Sequence, residues 1–490
     1  CVRNGTWPTA GSSIAIVLFL SIISFRSQRP THILSILLGF TLLSSLSVPL
    51  LAASAPLPYH LEQAIAVALE NNHLRTISRQ SLTIAEAQYR QAASSYWPSL
   101  SLNLGFQRRD EPAIFEYPEQ DFDLAPGLLP PVTIPSHEVS LLGRDTRLYS
   151  LEMSYPLYTG GKRSSLIEQA RLGVDIATQE VRRSNLQVVQ DVKRYYYAAL
   201  YTRQLVELAE DITLSFEVLR DITQTFFEGG STSVDKLDLL QSKLAYSMAE
   251  AAQAELKSNH EAALSALAFT MGLDWREQIA LASTSYPANV DTLSQNHLIE
   301  QALAFNPELE KLALVVQTYG AMIDEAQSGY YPTLALLGSY DGFSSDRDGG
   351  LDNAVNRRSW KIGIGLRMNL FEGGRTRHKI AAAKTEQAKM EQQRLLLSDA
   401  IASQVKSLFL QTRAAKKQVE ITHQAMVTSR ENLDLTRRAY QTGAVETQKV
   451  IEANLVDAMI QASNYRAMHD QVLHLAEIAY LLGKEAMQSY

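Results

Sequence analysis

Several features that would narrow the function of this 490-residue chain are missing from it. The only cysteine is Cys1, which excludes an intrachain disulfide framework and any Cys-x-x-Cys metal or redox site. The net charge is −7, so no basic footprint points to nucleic acid. After residue 55 no run of 18 apolar residues occurs, which excludes a hydrophobic transmembrane helix from that part of the chain.

The sequence motifs of enzymes and of cofactor-binding proteins are missing as well. There is no phosphate-binding loop, no nucleophile elbow and no His-Glu-x-x-His sequence. His469 and His474 are five residues apart and do not share a helical face, which favours a packing or surface role over metal ligation. The sequence therefore predicts no catalytic residue, no metal site and no cofactor.

What the sequence does contain is one long unit written twice. Tyr96-Trp97-Pro98 returns as Tyr330-Tyr331-Pro332, a shift of 234 residues. Gly160-Gly161 returns as Gly373-Gly374 and Gly230 as Gly443, both with a shift of 213 residues. The two shifts differ by 21 residues, so a single length change lies between Pro98 and Gly160. A repeat this long predicts two structurally equivalent halves.

The residues ahead of the first unit resemble a secretory signal. Arg26 and Arg29 precede an apolar stretch over residues 33–51, and the small residues 53–55 offer a cleavage site, so we expect a mature chain from about Pro56. A second apolar run, residues 14–25, lies further upstream. We interpret it as translated from ahead of the true start; a lipid-modified Cys1 is the alternative.

Each half shows the same predicted order of elements. A helix covers residues 61–93, its counterpart covers about 298–327, and an aromatic-aromatic-Pro sequence ends both. Strands follow at about 99–107 and 148–159 in the first half, and at about 333–341 and 360–371 in the second. A long acidic, Pro-rich loop (107–147) joins the first pair, and a shorter loop (341–359) joins the second.

The predicted strands alternate apolar and polar residues, which fits either a soluble sheet or membrane strands with one face in lipid. Two observations favour the membrane. Aromatic residues cluster at the helix-proximal strand ends, and about ten residues suffice for a tilted strand to cross the hydrocarbon layer. We therefore expect lipid to contact Leu102, Leu151, Ile364 and Leu366. We expect the polar face, a channel lumen, to carry Ser101, Glu152, Arg367 and Asn369.

Each strand pair leads into a very long helical hairpin. Residues 161–227 contain no proline, and apolar residues such as Leu205, Leu208 and Ile212 follow heptad spacing. A helix of that length spans about 100 Å. The stretch turns at Gly229-Gly230 and returns, giving a predicted hairpin over 161–270; the copy covers 374–482 and turns at Gly443.

This order of elements, with its motifs, resembles the outer membrane efflux protein family, the TolC-like exit ducts, over roughly residues 58–485. Tyr155-Pro-Leu-Tyr-x-Gly-Gly, its copy Asn369-Leu-Phe-x-Gly-Gly, and the aromatic-x-x-Gly turns at Phe227 and Tyr440 carry the resemblance. It implies a mainly α fold with a small β-barrel part. Three chains would each give four strands to one 12-stranded outer-membrane barrel, continued by an α-helical periplasmic tunnel.

The resemblance also implies a division of the chain and a set of partners. We expect an upstream segment and signal (1–55), a first repeat (56–272), an equatorial linker (273–295), a second repeat (296–484) and a tail (485–490). The implied protein is a passive channel, not an enzyme, in the outer membrane of a Gram-negative bacterium. Its expected partners are two further copies of itself, membrane lipid, a hexameric periplasmic adaptor and an inner-membrane pump.

Two sets of residues are the predicted functional sites. The resemblance implies that the hairpin turns, with Phe227, Gly230, Tyr440 and Gly443, form the periplasmic entrance that contacts the adaptor. Lys236 and Lys449 each follow a turn glycine by six residues and could line that entrance; a solvated surface role is the alternative. Gly160, Gly161, Gly373 and Gly374, which precede Lys or Arg, predict strand-to-helix bends at the membrane interface. An anion site at the helix N-terminus is the alternative for these bends.

Three functions are compatible with these sequence features. The leading hypothesis is an exit duct for small-molecule efflux. The same architecture would serve type I protein secretion. A non-conducting coiled-coil scaffold of the cell envelope is the alternative from another class. The transported substrate is not predicted by any feature of the sequence.

Overall fold

The structure, a computed structural model, describes residues 58–123, 130–283, 285–286, 294–346, 351–353 and 357–483. The predicted signal (1–55) and tail (485–490), with part of the predicted linker, lie outside the described residues. The first half contains β1 (Pro58–Tyr59), α1 (Leu61–Asn71), α2 (His73–Ala93), β2 (Ser99–Arg108), β3 (Ala113–Tyr117), β4 (Gln120–Phe122), β5 (Val132–Ile134), β6 (His137–Leu142), β7 (Asp145–Tyr158), α3 (Lys162–Glu228), α4 (Lys236–Met271) and β8 (Ala280–Leu281). The second half contains α5 (Gln295–Phe305), α6 (Pro307–Gln327), β9 (Thr333–Ser345), β10 (Arg358–Arg367), α7 (Arg375–Gln441) and α8 (Thr447–Leu481).

The single helix predicted to open each half is wrong, because an asparagine divides it in both places. Asn72 and Asn306 have extended backbone, and each side-chain oxygen accepts a hydrogen bond from an N–H of the following helix. Each side-chain amide also donates to the end of a return helix, to the Thr270 carbonyl (2.7 Å) or the Leu481 carbonyl (3.0 Å). An N-cap that is also tied to another helix outweighs continuous helical periodicity.

Four strands form one antiparallel sheet in the order β10-β9-β7-β2. Leu102 lies opposite Leu151, Leu151 opposite Tyr340, and Tyr340 opposite Trp360, so these side chains share one face. Both outer strands, β2 and β10, have an edge without a further strand among the described residues. Most side chains of β2 and β10 are exposed, so this sheet does not enclose a core of its own.

The predicted loop over 107–147 contains regular structure. β3 pairs with β6 and β4 with β5, which extends the β2–β7 hairpin into a two-stranded ribbon beyond the sheet. The 21 additional residues of the first half therefore lengthen a strand pair. The shorter counterpart between β9 and β10 has no such extension in its described part.

The long helices form two hairpins, α3 with α4 and α7 with α8, and α3 also packs on α8. α3 and α7 have 67 residues each, about 100 Å, as predicted. The heptad seam buries residues such as Phe216 and Leu219 near the turns, where both hairpins contribute to one apolar cluster. Two larger clusters lie beside the short helices, one around Tyr196 with α1 and one around Val405 with α5. The apolar packing of the chain therefore lies in its helical part.

Candidate functional site

The turns of the two hairpins have the same backbone geometry. In the first, the Gly230 N–H donates to the Phe227 carbonyl (3.2 Å) and the Ser231 N–H to the Phe226 carbonyl (3.0 Å). In the second, the Gly443 N–H donates to Tyr440 (3.0 Å) and the Ala444 N–H to Ala439 (2.9 Å). Both glycines have positive φ, 74° and 73°. This is the Schellman ending of a helix, in which glycine avoids the strain that a side chain would introduce.

The aromatic residues that precede these glycines have different surroundings. Tyr440 is 4% exposed, and its hydroxyl lies 2.7 Å from Thr223 Oγ1 and 3.1 Å from Thr447 Oγ1. Thr223 is fully buried in α3 and donates to the Leu219 carbonyl, so the Tyr440 hydroxyl donates to Thr223. Tyr440 thus links the second hairpin to the first. Its counterpart Phe227 is half-buried and has no hydroxyl with which to form such a link.

The two lysines that share a spacing in sequence are not structurally equivalent. Lys236 is the first residue of α4, whereas Lys449 is the third residue of α8. The N-caps Asp235 and Glu446 are 211 residues apart, so the return helices are related by a shift of 211, not 213. Lys236 Nζ lies 5.4 Å from the centre of the Phe227 ring. Lys449 Nζ lies 2.8 Å from a Glu452 carboxylate oxygen, which raises the pKa of Lys449 and lowers that of Glu452.

The seam between α7 and α8 also contains polar residues that the sequence analysis did not single out. Arg437 donates to both Ser215 and Asn454 at 2.7 Å, which joins α7, α3 and α8. Further along the seam, the buried Asp457 carboxylate accepts from Ser429 (2.6 Å) and Gln461 (2.7 Å). Polar residues at heptad seam positions were the available sequence signal, because an apolar residue is usual there.

The strand-to-helix bends occur where the glycine pairs predicted them. All four glycines have positive φ, and α3 and α7 begin directly after Gly161 and Gly374. A Cβ on Gly160 would lie 2.6 Å from the Tyr331 Cβ, whereas one on Gly161 would meet no atom within 4 Å. Gly160 is therefore required for close approach as well as for its backbone conformation.

The cation of the first bend is used within the chain. The Arg163 guanidinium stacks 4.1 Å above the Tyr96 ring and donates to the Pro156 carbonyl (2.8 Å) and the Ser95 carbonyl (3.3 Å). It connects the end of α2, the end of β7 and the start of α3. These contacts orient Arg163 toward its own backbone, which favours the bend over the anion site.

The sheet brings the four predicted lipid-facing residues together on one face. Their side chains remain exposed, for example 63% for Leu102 and 67% for Leu366. Ser101 and Glu152 lie opposite each other on the other face, where Lys361 Nζ lies 3.4 Å from Asp341. The placement of Asn369 on a strand is wrong. β10 ends at Arg367, and Asn369 donates to Glu372 (2.7 Å) within the second bend.

The predicted packing role of His469 agrees with its surroundings in α8. Its ring stacks on Tyr201 at 4.9 Å, and its Nδ1 lies 3.3 Å from Asp470. Burial lowers the pKa of His469 because it disfavours the charged ring. Across the described ranges, no three His, Cys, Asp or Glu side chains come together as a metal site, and no helix has the length and apolar character to cross a membrane.

Comparison with known proteins assigns this arrangement. Alkaline protease secretion protein AprF of Pseudomonas aeruginosa is 23% identical over 354 residues, which cover 70% of this chain and 69% of that protein. Outer membrane protein TolC of Salmonella enteritidis is 21% identical over 342 residues, 68% of each chain. Among solved structures, the Campylobacter jejuni CmeC outer membrane channel has a TM-score of 0.70 at 15% identity, covering 88% of this chain and 87% of that one.

These likenesses confirm the predicted fold, with long helices beside a small sheet. The model of one family, described as outer membrane efflux protein, matches residues 64–273 and again residues 298–484. Because these matches cover both halves and most of the chain, the predicted family is confirmed: this protein belongs to the outer membrane efflux protein family.

Proposed function

We propose that three copies of this chain form the passive exit duct of a tripartite efflux system in the outer membrane. The observation that carries the proposal is a four-stranded sheet with two open edges joined directly to helical hairpins about 100 Å long. Unpaired backbone groups cost several kcal/mol each in hydrocarbon, so the open edges of β2 and β10 require partners there. Three copies would pair them and supply twelve strands.

The orientation of the sheet follows from its two faces. The face with Leu102, Leu151, Ile364 and Leu366 would contact lipid, since exposed apolar side chains cover it without a core against which to pack. The face with Ser101, Glu152 and Arg367 would line the lumen. The bends at Gly160-Gly161 and Gly373-Gly374 would then lie at the inner membrane interface, below which the helices continue into the periplasm.

The hairpin turns would form the periplasmic entrance and contact the adaptor. Gly230 and Gly443 end the two longest helices, far along the chain from the sheet, and their backbone geometry is the same. Phe227 and Tyr440 lie beside them. Lys236 and Lys449 lie on separate positions of the return helices, which favours solvated surface over one uniform ring of lysines.

The proposed division of labour leaves no chemistry to this chain. The two repeats (56–272 and 296–484) would build equivalent parts of the duct around a linker (273–295), and an inner-membrane pump would supply the energy. Relatives in the family are channels, which supports a role other than that of an enzyme. The implied partners are two further copies, lipid, the adaptor and the pump.

The test combines conductance with export. The purified full chain should insert into planar bilayers as a trimer and conduct ions, and its deletion in the source bacterium should sensitise cells to exported compounds. A stable trimer without conductance, even after substitutions that loosen the turns, would support the scaffold instead. Absence of a trimer would refute the duct.

Protein secretion is a second candidate, because the relative AprF carries alkaline protease secretion in its name. The deletion strain distinguishes the two. Loss of a secreted protein from the medium with unchanged drug sensitivity would assign secretion, and the reverse result would assign efflux.

A further inference from the structure

The ribbon beyond the sheet exposes apolar side chains that nothing in the described chain covers. On β3, Phe115 and Tyr117 contact each other edge to face, with ring centres 6.1 Å apart. Val139 on β6 lies directly opposite Phe115. The two aromatic residues are 52% and 51% exposed. A two-stranded ribbon is at best marginally stable in water by itself, so this one requires another surface.

The chain's own contacts hold only one side of the ribbon. The Leu351 N–H donates to the Leu141 carbonyl (2.9 Å), and the Gly143 N–H donates to Ser345 Oγ (2.8 Å). Both contacts join β6 and the residues after it to the connection between β9 and β10. β3 is therefore the outer strand of the ribbon, and its far edge has no partner strand within the described ranges.

The topology determines what that outer edge meets when the barrel closes. β3 follows β2, the outer strand of the sheet, after four residues. In the trimer proposed above, on which this step rests, β2 pairs with β10 of the next copy. Since β10 begins at Arg358, the outer edge of β3 would face the β9–β10 connection of that next copy.

The charges on the two surfaces are complementary. Glu116 lies directly opposite Glu138 across the β3–β6 ladder, an arrangement of like charges that is destabilising unless a cation lies nearby. Neither carboxylate has an ion pair in the described part of the chain. Arg358 is exposed, and its side chain likewise has no described partner.

We propose that the β3–β6 ribbon clasps the neighbouring copy of this chain. Its aromatic residues cover the neighbour's β9–β10 connection, and the neighbour's Arg358 approaches the Glu116–Glu138 pair. The additional residues of the first half would thereby hold the outer mouth of the trimer together beyond the membrane, where the barrel strands have ended.

Disulfide trapping tests the placement. Glu116→Cys and Arg358→Cys, combined in the Cys1→Ser full chain, should give covalent dimers and trimers on a non-reducing gel after mild oxidation. Glu116→Cys with Arg375→Cys is the control, because Arg375 is equally exposed but lies at the opposite, helix-proximal end of the sheet. A bond that forms within one chain, or equal yields from both pairs, would overturn the clasp.

Charge exchange tests the electrostatics. Arg358→Glu or Glu116→Arg alone should lower the temperature at which the detergent-purified trimer dissociates by about 2–4 °C, and the two together should restore it. If the trimer forms and conducts but neither disulfide nor charge effect is seen, the clasp is wrong and the proposed duct stands. If no trimer forms in the unsubstituted protein, both fail.

Discussion

The Tyr440 hydroxyl offers the sharpest test of how the two hairpins are coupled. It joins α7 to α3 through Thr223 and to α8 through Thr447, all three side chains being buried. Tyr440→Phe keeps the ring and its packing near Phe226 but removes both hydrogen bonds. The buried Thr447 hydroxyl then loses its acceptor at this position, and a buried polar group left without a partner costs about 1–3 kcal/mol.

A coupling of that size corresponds to about a 5- to 150-fold change in the ratio of linked to separated turns. We therefore expect faster amide hydrogen exchange around residues 219–230 and 440–447 and more frequent opening in planar-bilayer recordings, with an unchanged trimer yield. Tyr465→Phe is the matched control, since Tyr465 lies on α8 and its hydroxyl has no hydrogen-bond partner among the described residues. If exchange and conductance match those of the unsubstituted protein, the Tyr440 contacts do not couple the hairpins.

Four further substitutions test the rest of the molecule. Leu366→Arg should cost about 2–4 kcal/mol if that side chain faces the hydrocarbon, and Ser101→Arg much less; denaturant titration in vesicles measures both, and equal costs would reject the face assignment. Gly443→Trp should leave the trimer intact and reduce export, because positive φ strains the turn; normal export would remove the entrance assignment. Gly160→Ala should destabilise the protein more than Gly161→Ala, since only the former meets the Tyr331 side chain, and thermal unfolding that ranks them the other way would contradict the close contact. Burial lowers the pKa of His469 in the folded state, so its contribution to stability is present above the unfolded pKa of about 6.5 and is lost as pH falls below it; His469→Phe should flatten that acid limb of the stability curve, and an unchanged limb would assign it to other groups.

The sequence was sufficient for the features that repeat or alternate. Period-two alternation predicted the four strands and their faces, and the heptad spacing predicted two helices whose length the structure confirms. Glycine pairs predicted bends and turns because positive φ is costly for other residues. These features depend on neighbours within a few positions along the chain.

The errors came from contacts between distant residues. Asn72 and Asn306 divide helices because their amides also reach carbonyls of the return helices, nearly 200 residues away in the first case. The lysine pair was matched by counting from the turn glycines, but helix capping, not distance along the sequence, sets the register of α4 and α8. The Tyr440 link was missed because Thr223 lies on the other hairpin, and no local pattern reports that contact.

The shift of 211 residues between the return helices has a consequence for symmetry. Two repeats that matched throughout would give a trimer of six interchangeable tips, with a pseudo-sixfold axis along the tunnel. Here one tip presents an Asp235–Asp238 capping box and an unlinked phenylalanine, and the other a Lys449–Glu452 pair and a tethered tyrosine. A six-membered ring seated on this end would encounter two chemically different notches in alternation. Its subunits, even if identical in sequence, would therefore have to bind as three pairs of unlike conformers.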